Sequence, residues 1–326
     1  LPCRAAGRVL FLRARAGAGL RRFAPAALVC EQSFKPDADR LRDAGFTADG
    51  CARRTFRAWC LMLPPRSRDE ARILFAQALQ RVAPKGTVVA CVANTQGARS
   101  LEADLQQVAG SVTSLSKHKC RVFWTQPTAA TRDEAVLAEW LQLDQPHLLP
   151  GCDLHSRAGI FSADAIDAAS QLLAANLPDD LSGRAADLGA GNGYLSVALL
   201  ARNPGITAMD LYEAERRALD VARLNLAKQA QTLDVAFHWH DVSSGLPTRH
   251  DVIVMNPPFH QGRADAPDLG RAFIIAAARA LHPGGQLWLV ANRHLPYEAV
   301  LAEHFAHVDL VCDRDGFKVI AARKAA

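Results

Sequence analysis

The stretch AADLGAGNGYLSV, Ala185 to Val197, decides how this chain is read. Small and apolar residues lead through Asp187 to Leu188. Gly189, Gly191 and Gly193 then alternate with Ala190 and Asn192, and an apolar helical pattern begins at Tyr194. Glycines let a chain turn tightly between a strand and a helix, and they let a ligand approach the backbone closely. A dinucleotide site is the natural rival for such a turn. The spacing, however, is GxGxG followed by Tyr194 rather than GxGxxG. Asp187 also sets a carboxylate at the strand end, where a pyrophosphate is repelled and a cationic ligand is favoured.

Outward from this turn, strand and helix patterns alternate. FSADAIDAASQLLAANL has helical periodicity with Ser162 as its cap, RAADLG is a short strand, and YLSVALLARN is a helix. ITAMDLYE, VAFHWHDV and DVIVMN read as strands, with AERRALDVARLNLAKQA as a helix after the first of them. LGRAFIIAAARAL is a helix, Pro283-Gly284-Gly285 a turn and QLWLVAN a strand. VDLVCDRDGFKVIAARK closes the chain as a hairpin around Asp313 to Gly316. Such alternation predicts a mostly parallel, doubly wound sheet with helices on both faces, to which the hairpin adds antiparallel strands.

The first half repeats the end of that pattern. LMLPPRSRDEARILFAQALQRVAPKGTVVACVAN matches IVMNPPFHQG followed by LGRAFIIAAARALHPGGQLWLVAN, in the order strand, Pro-Pro, helix, turn, strand and Val-Ala-Asn. The expected fold class is therefore α/β, with two tandem Rossmann-like domains and a C-terminal antiparallel hairpin in the second copy. Residues 1–124 form the first domain, the Pro-punctuated segment 125–157 a linker, and 158–326 the second domain. No turn equivalent to Gly189–Gly193 precedes residue 60, so the first copy is expected to be a scaffold without a cofactor site.

Composition narrows the function classes. Of 326 residues, 49% are apolar and 22% charged, which is ordinary for a globular protein and argues against disorder. The net charge of +5 permits an RNA partner without demanding one. Eight scattered cysteines show no zinc-ligand spacing, so no metal is expected, and they suit reduced thiols in a cytoplasmic protein. No apolar run reaches the ~18 residues of a membrane span. The start, without Met and with VLFLRARAGAG broken by arginines, is read as a trimmed cytoplasmic one.

The Asp187 to Gly193 turn resembles that of class I S-adenosylmethionine (SAM)-dependent methyltransferases, whose cofactor carries an ammonium and a sulfonium. Glu213 ends the second strand, where an acid accepts hydrogen bonds from both ribose hydroxyls; Asp210, inside the strand, is the second choice. The resemblance implies that Asp241, after the third strand, takes the adenine amino group. It further implies that the segment around Phe161 and Asp167 covers the cofactor.

DVIVMNPPFHQG, Asp251 to Gly262, places Asn256, Pro257, Pro258 and Phe259 at the tip of the fourth strand. An exocyclic amine on a nucleobase is a poor nucleophile because its lone pair is delocalised into the ring. It attacks a methyl sulfonium only after pyramidalising, and two fixed acceptors hold its protons in that geometry. Asn256 offers its side-chain carbonyl and Pro257 its backbone carbonyl. The prolines stiffen the loop and remove competing N–H donors, and fixed acceptors need no reorganisation during reaction. Phe259 supplies a stacking face for a flipped base. In the first half, Leu63-Pro64-Pro65-Arg66 keeps the shape without the amide or the aromatic ring.

GIFSADAIDAASQLL, DLGAGNGYLSVAL, NPPFH, LVANRHLPYE and GFKVIAARK, with the tandem layout, resemble the bacterial family that methylates guanine N2 in small-subunit (16S) ribosomal RNA. Ala190 and Asn192 depart from its more usual residues within the turn. The resemblance implies a SAM-dependent guanine-N2 methyltransferase yielding S-adenosylhomocysteine, with ribosomal RNA or the 30S subunit as partner; a monomer is expected because the duplication already supplies a partner domain. A sister family acts on large-subunit (23S) RNA, and N6-adenine or protein-glutamine transfer stays open, as does a non-catalytic ribosome-assembly factor. Candidate RNA contacts are Lys117, Lys119 and Arg121 in SKHKCR and Arg263 beside the pocket, with Arg293 and Lys318 behind them.

Overall fold

A computed structural model describes residues 9–48, 58–83, 85–126, 132–258, 260–261, 264–265 and 267–326. Two compact units divide the chain: Leu1–Pro146 with Arg157–Gly159, and His147–Ser156 with Ile160–Ala326. In the first lie β1 (Val9–Leu12), β2 (Leu28–Glu31), α1 (Lys35–Asp43), β3 (Trp59–Met62), α2 (Arg68–Arg81) and β4 (Thr87–Ala93). α3 (Ala98–Ala109), β5 (Val112–Lys117), β6 (Cys120–Thr125) and α4 (Glu134–Gln142) complete it. Its sheet runs β2-β1-β3-β4-β6-β5, with β6 antiparallel to both neighbours.

The second unit opens with a short ladder of β7 (His147–Leu148) and β8 (His155–Ser156). There follow α5 (Ala168–Asn176), β9 (Ser182–Leu188), α6 (Tyr194–Arg202), β10 (Gly205–Glu213), α7 (Arg216–Asn225), β11 (Asp234–Trp239) and β12 (His250–Met255). Beyond them come β13 (His260–Gln261), β14 (Ala264–Asp265), α8 (Pro267–Ala280), β15 (Leu281–Asn292), α9 (Glu298–His304), β16 (His307–Arg314) and β17 (Phe317–Arg323). The main sheet runs β11-β10-β9-β12-β15-β17-β16, parallel until β17. The chain is thus α/β with two Rossmann-like sheets. The strand order of the first, β2-β1-β3-β4-β6-β5, repeats that of β10-β9-β12-β15-β17-β16 in the second.

β12 shows why the central strands read as continuous apolar runs. Alternate residues point to opposite faces, so Ile253 and Met255 join the core under α8, while Val252 and Val254 join the core with Leu173 of α5 and Leu199 of α6. Both faces are covered, and neither set of positions can be polar. Within β9 the small Ala185 and Ala186 let helices approach the sheet from either side, and both are fully buried.

Three boundaries differ from expectation. Segment 125–157, read as a linker with a short helical pattern in RDEAVLAEWLQL, divides between the units: α4 places Leu137 and Trp140 in the first core, and 147–156 belongs to the second unit. An antiparallel hairpin closes the first sheet as well as the second, with SKHKCR forming its turn. The helix expected to follow a Ser162 cap starts only at Ala168. Ser162 takes φ 58, outside helical geometry, and Asp167 rather than Ser162 caps the helix by accepting from Ser170 N–H.

Candidate functional site

Strands β9, β10 and β12 end at one edge, with Leu188 paired to both Tyr212 and Met255, and Glu213 paired to Trp239 of β11. The chain order reverses between β9 and β12, and a crevice opens at the carboxyl ends of strands at such a switch point. A cleft of about 400 Å³ lies there, lined among others by Phe161, Asp167, Ser170, Gly189, Gly191 and Asn256. Five of its lining residues come from three separate sequence stretches: Phe161 and Asp167, Gly189 and Gly191, and Asn256.

The glycine turn owes its shape to residues that tolerate the left-handed region. Gly191 has φ 56, and a Cβ on it would meet nothing within 4 Å, so its backbone lies open. Gly193 has φ 85, and a Cβ there would come within 2.6 Å of Leu226 Cδ1. The first glycine gives access to the backbone, and the second lets α6 pack against the chain after α7. Gly191 N–H donates to Glu213 Oε2 at 2.8 Å, and Glu215 N–H donates to Glu213 Oε1 at 2.7 Å. Glu213 is therefore fixed beside the turn, and burial pushes its carboxyl above the usual range. Asp210, the second choice, is otherwise engaged. It accepts two hydrogen bonds from Arg184 and faces His238 and His250 at 2.8 and 3.0 Å, which together hold its carboxyl well below the usual range despite burial.

Asp187 is fully buried, and Ser196 Oγ donates to its Oδ2 at 2.7 Å. Its Oδ1 has no hydrogen-bond partner among the described residues. Burial pushes this carboxyl up to about 7, with the neighbouring Glu213 adding to the rise. A fully buried carboxyl with an orphaned oxygen, Asp187, and a half-buried one, Glu213, beside an open glycine turn fit a cationic ligand that also carries hydrogen-bond donors. That is the chemistry of the ammonium and ribose of SAM.

Asn256 follows β12 directly. Its Nδ2 donates to Asp167 Oδ2 and to Ser170 Oγ, both at 2.9 Å, so the α5 terminus and the Asn-Pro-Pro segment are tied together. Sequence periodicity carries no signal for this contact, because 89 residues separate its partners. Pro257 is buried and Pro258 exposed; neither lines the cleft. Phe259 and Arg263 lie outside the described residues. Asp241 caps a short turn after β11, with its Oδ1 accepting from Ser243 N–H at 2.9 Å, and stands outside the cleft lining.

The basic candidates separate. Lys117 and Lys119 are exposed at the β5–β6 turn. Arg121 pairs with Glu102, Arg293 with Asp313, and the buried Lys318 with Glu298, so each of these charges already has an internal partner. Among the described residues no group of His, Cys, Asp or Glu could hold a metal ion, and no helix is long and apolar enough to cross a membrane.

Comparison with known proteins places this geometry. Residues 151–321 match the family model of the methyltransferase small domain. The ribosomal RNA small subunit methyltransferase C of Shewanella pealeana is 30% identical over 259 residues, covering 78% of this chain and 74% of the relative. That of Shewanella halifaxensis is 31% identical over 260 residues, with the same coverage. Among solved structures, the T. thermophilus 16S rRNA N2 G1207 methyltransferase (RsmC) in complex with AdoMet and guanosine superposes with a TM-score of 0.79 at 22% identity. It covers 98% of this chain and 88% of its own, and shares the fold. With a matched domain over half its length and relatives of this similarity, the chain belongs to the ribosomal RNA small subunit methyltransferase C family of methyltransferases.

Proposed function

We propose that this protein transfers a methyl group from SAM to the exocyclic N2 amine of a guanine in 16S ribosomal RNA, as a monomer in the cytoplasm. The observation that carries the proposal is the placement of Asn256 in the same cleft as Gly189 and Gly191, at the sheet's switch point. Relatives named as small-subunit ribosomal RNA methyltransferases supply the RNA class, and a fold neighbour holding AdoMet and guanosine supports the base.

Asp187, Glu213 and the Gly189–Gly193 turn would hold the cofactor, with Phe161 and Asp241 at its margins. When bound, SAM supplies an electrophilic methyl group on a sulfonium. The chain's own contribution is positional. Asn256 Oδ1 and the Pro257 carbonyl accept the two N–H groups of the target amine, which turns its lone pair out of the ring plane. Pro257 and Pro258 keep that loop from relaxing, and Phe259 stacks on the extruded base, a contact worth about 1–3 kcal/mol. No ionisable base is required, because an amine that has just gained a methyl group is acidic enough to release its proton to water. Lys117 and Lys119 would meet RNA phosphates, and the first unit would serve as a non-catalytic scaffold.

The test is incubation of the protein with methyl-labelled SAM and small ribosomal subunits lacking the modification, followed by digestion and mass spectrometry of the nucleosides. Label in N2-methylguanosine of 16S RNA is expected. Label in 23S RNA, in N6-methyladenosine or in protein would move the assignment to another substrate, and SAM binding without transfer would favour an assembly factor.

A further inference from the structure

A primary amide is nearly symmetric in shape. Packing alone cannot tell its oxygen from its NH2, yet only the oxygen can accept from a target amine. What surrounds Asn256 is therefore decisive for the methyl transfer proposed above. Its amide nitrogen meets Asp167 Oδ2 and Ser170 Oγ, each at 2.9 Å. Asp167 Oδ2 also accepts from Ser170 N–H at 2.8 Å, which caps α5.

The two partners are not equivalent. A serine hydroxyl can donate or accept and would tolerate either orientation of the amide. A carboxylate only accepts, so turning Asn256 over would set Oδ1 against Asp167 Oδ2, two acceptors at hydrogen-bond distance with no proton between them. The cost of an unmade bond to a charged acceptor enforces one orientation. In that orientation Nδ2 faces α5, no described residue donates to Oδ1, and Asn256 lines the cleft. Asp167 itself is held in place because its oxygen caps a helix whose Ala169, Leu173 and Ala174 are buried in the core.

We infer that Asp167 is a positioning residue for methyl transfer: its carboxylate fixes the Asn256 amide with Oδ1 presented to the target amine, and Ser170 shares the anchoring without setting the polarity. This goes beyond a role for Asp167 in covering the cofactor, and it rests on the assignment of Asn256 as the acceptor. It also gives a reason for the α5 terminus to reach the end of β12, since the helix cap and the catalytic amide share one oxygen.

The experiment separates the cap from the orientation. Serine caps helices about as well as aspartate, but its hydroxyl is too short to cap and also meet Asn256. Asparagine keeps an acceptor oxygen at the same reach. Asp167→Ser, Asp167→Asn and wild type are compared for kcat and KM on labelled SAM with unmodified small subunits, for SAM Kd by calorimetry, and for Tm. The expected result is a fall in kcat of about ten- to a hundredfold for Asp167→Ser, with SAM Kd within about twofold and Tm within a few degrees. Asp167→Asn should recover most of that loss. Wild-type kcat in Asp167→Ser, or Asp167→Asn as slow as Asp167→Ser, overturns the inference. So does a raised SAM Kd with kcat intact, which would make Asp167 a cofactor ligand. If wild-type protein labels no guanine while binding SAM, the guanine assignment fails first and the inference falls with it, a pattern distinct from an active wild type with an active Asp167→Ser.

Discussion

In the second unit the chain leaves β9 through Leu188 into Gly189, Ala190 and Gly191. In the first it leaves β1 through Leu12 into Arg13, Ala14 and Arg15. Leu188 is paired to Tyr212 and Met255, and Leu12 to Glu31 and Met62, so the two turns correspond residue by residue. Phe11 stands where Asp187 does, Arg13 at Gly189, Arg15 at Gly191, Gly17 at Gly193, Gln32 at Glu213 and Leu63 at Asn256. The backbone bonds are kept. Ala14 N–H donates to the Glu31 carbonyl at 3.1 Å as Ala190 N–H donates to that of Tyr212 at 3.2 Å. Phe34 N–H donates to Gln32 Oε1 as Glu215 N–H donates to Glu213 Oε1. Arg13 even holds φ 50, close to the φ 75 of Gly189, in a region L side chains resist.

The chemistry is what differs. Arg13 pairs with Glu70, and Arg15 with Asp37 at 3.1 Å, so cationic side chains occupy a turn that is bare backbone in the second unit. A neutral amide replaces the acid at Gln32, and an aromatic ring replaces the buried carboxyl at Phe11. A sheet can thus be copied through its register and turn geometry while the few side chains that make a site are exchanged, because burial and hydrogen-bonded turns constrain the first and only a ligand constrains the second.

That contrast can be tested where it is widest. Asn256→Ala should lower the methyl-transfer rate roughly a hundredfold or more while SAM affinity barely changes, the pattern for an acceptor that acts in the transition state. Single-turnover kinetics on small subunits checks it, and unchanged turnover would remove Asn256 from the mechanism. The reciprocal Leu63→Asn in the first unit should add no activity, since neither Asp187 nor Glu213 has an acidic counterpart there.

Asp210→Asn comes next. It withdraws a buried charge from Arg184, His238 and His250, and its counterpart by register in the first unit is the apolar Val29. We expect a loss of roughly 3 kcal/mol, read from urea unfolding followed by a probe in the second unit. Because the Asp210 carboxyl is held below its unfolded value of 3.8, its stabilisation is present above that pH and is lost as pH falls further.

A smaller effect concerns Asp187, whose sign is the opposite. Its carboxyl is raised from 3.8 to about 7, so the ligand-free fold binds a proton that the unfolded chain lacks across that window. Stability without ligand rises as pH falls from about 7 towards 4. A cationic ligand prefers the carboxylate, so SAM should bind roughly tenfold more weakly at about pH 6 than at about pH 8, with a proton released on binding in the acid range. Calorimetry in buffers of different ionisation enthalpy measures this, and Asp187→Asn should abolish the dependence. The smallest change is expected from Arg13→Gly. Restoring a glycine at the first turn should leave one SAM bound per chain, and a second bound SAM in the titration would show that Arg13 alone had closed the first site.

Several features were legible in the residues alone. Apolar runs bounded by turns placed β9, β10, β12 and β15, and the two Pro-Pro segments disclosed the repeat. The Gly189–Gly193 turn and Asn256 marked the two sides of one cleft. These signals are local: side-chain periodicity, glycine's access to positive φ and proline's missing N–H act within a few residues, so they survive in a string. Whether Arg13 stood in for a glycine could not be read, because Arg-Ala-Arg does not resemble Gly-Ala-Gly and only strand pairing aligns them. The helical pattern of α4 could be read, but not its docking, because Leu137 and Trp140 find their core partners far away in the chain.

By itself, then, the sequence determined the α/β class, the tandem repeat, the place of the cleft and the residue types that line it, since each rests on local geometry. Only the tertiary structure decided that Glu213 rather than Asp210 stands beside the glycine turn, that Arg121 and Lys318 spend their charge internally, and that Asp167 holds Asn256. Those outcomes depend on which buried polar groups meet across the packed elements, and a buried donor or acceptor must find its partner in space, whatever its distance along the chain.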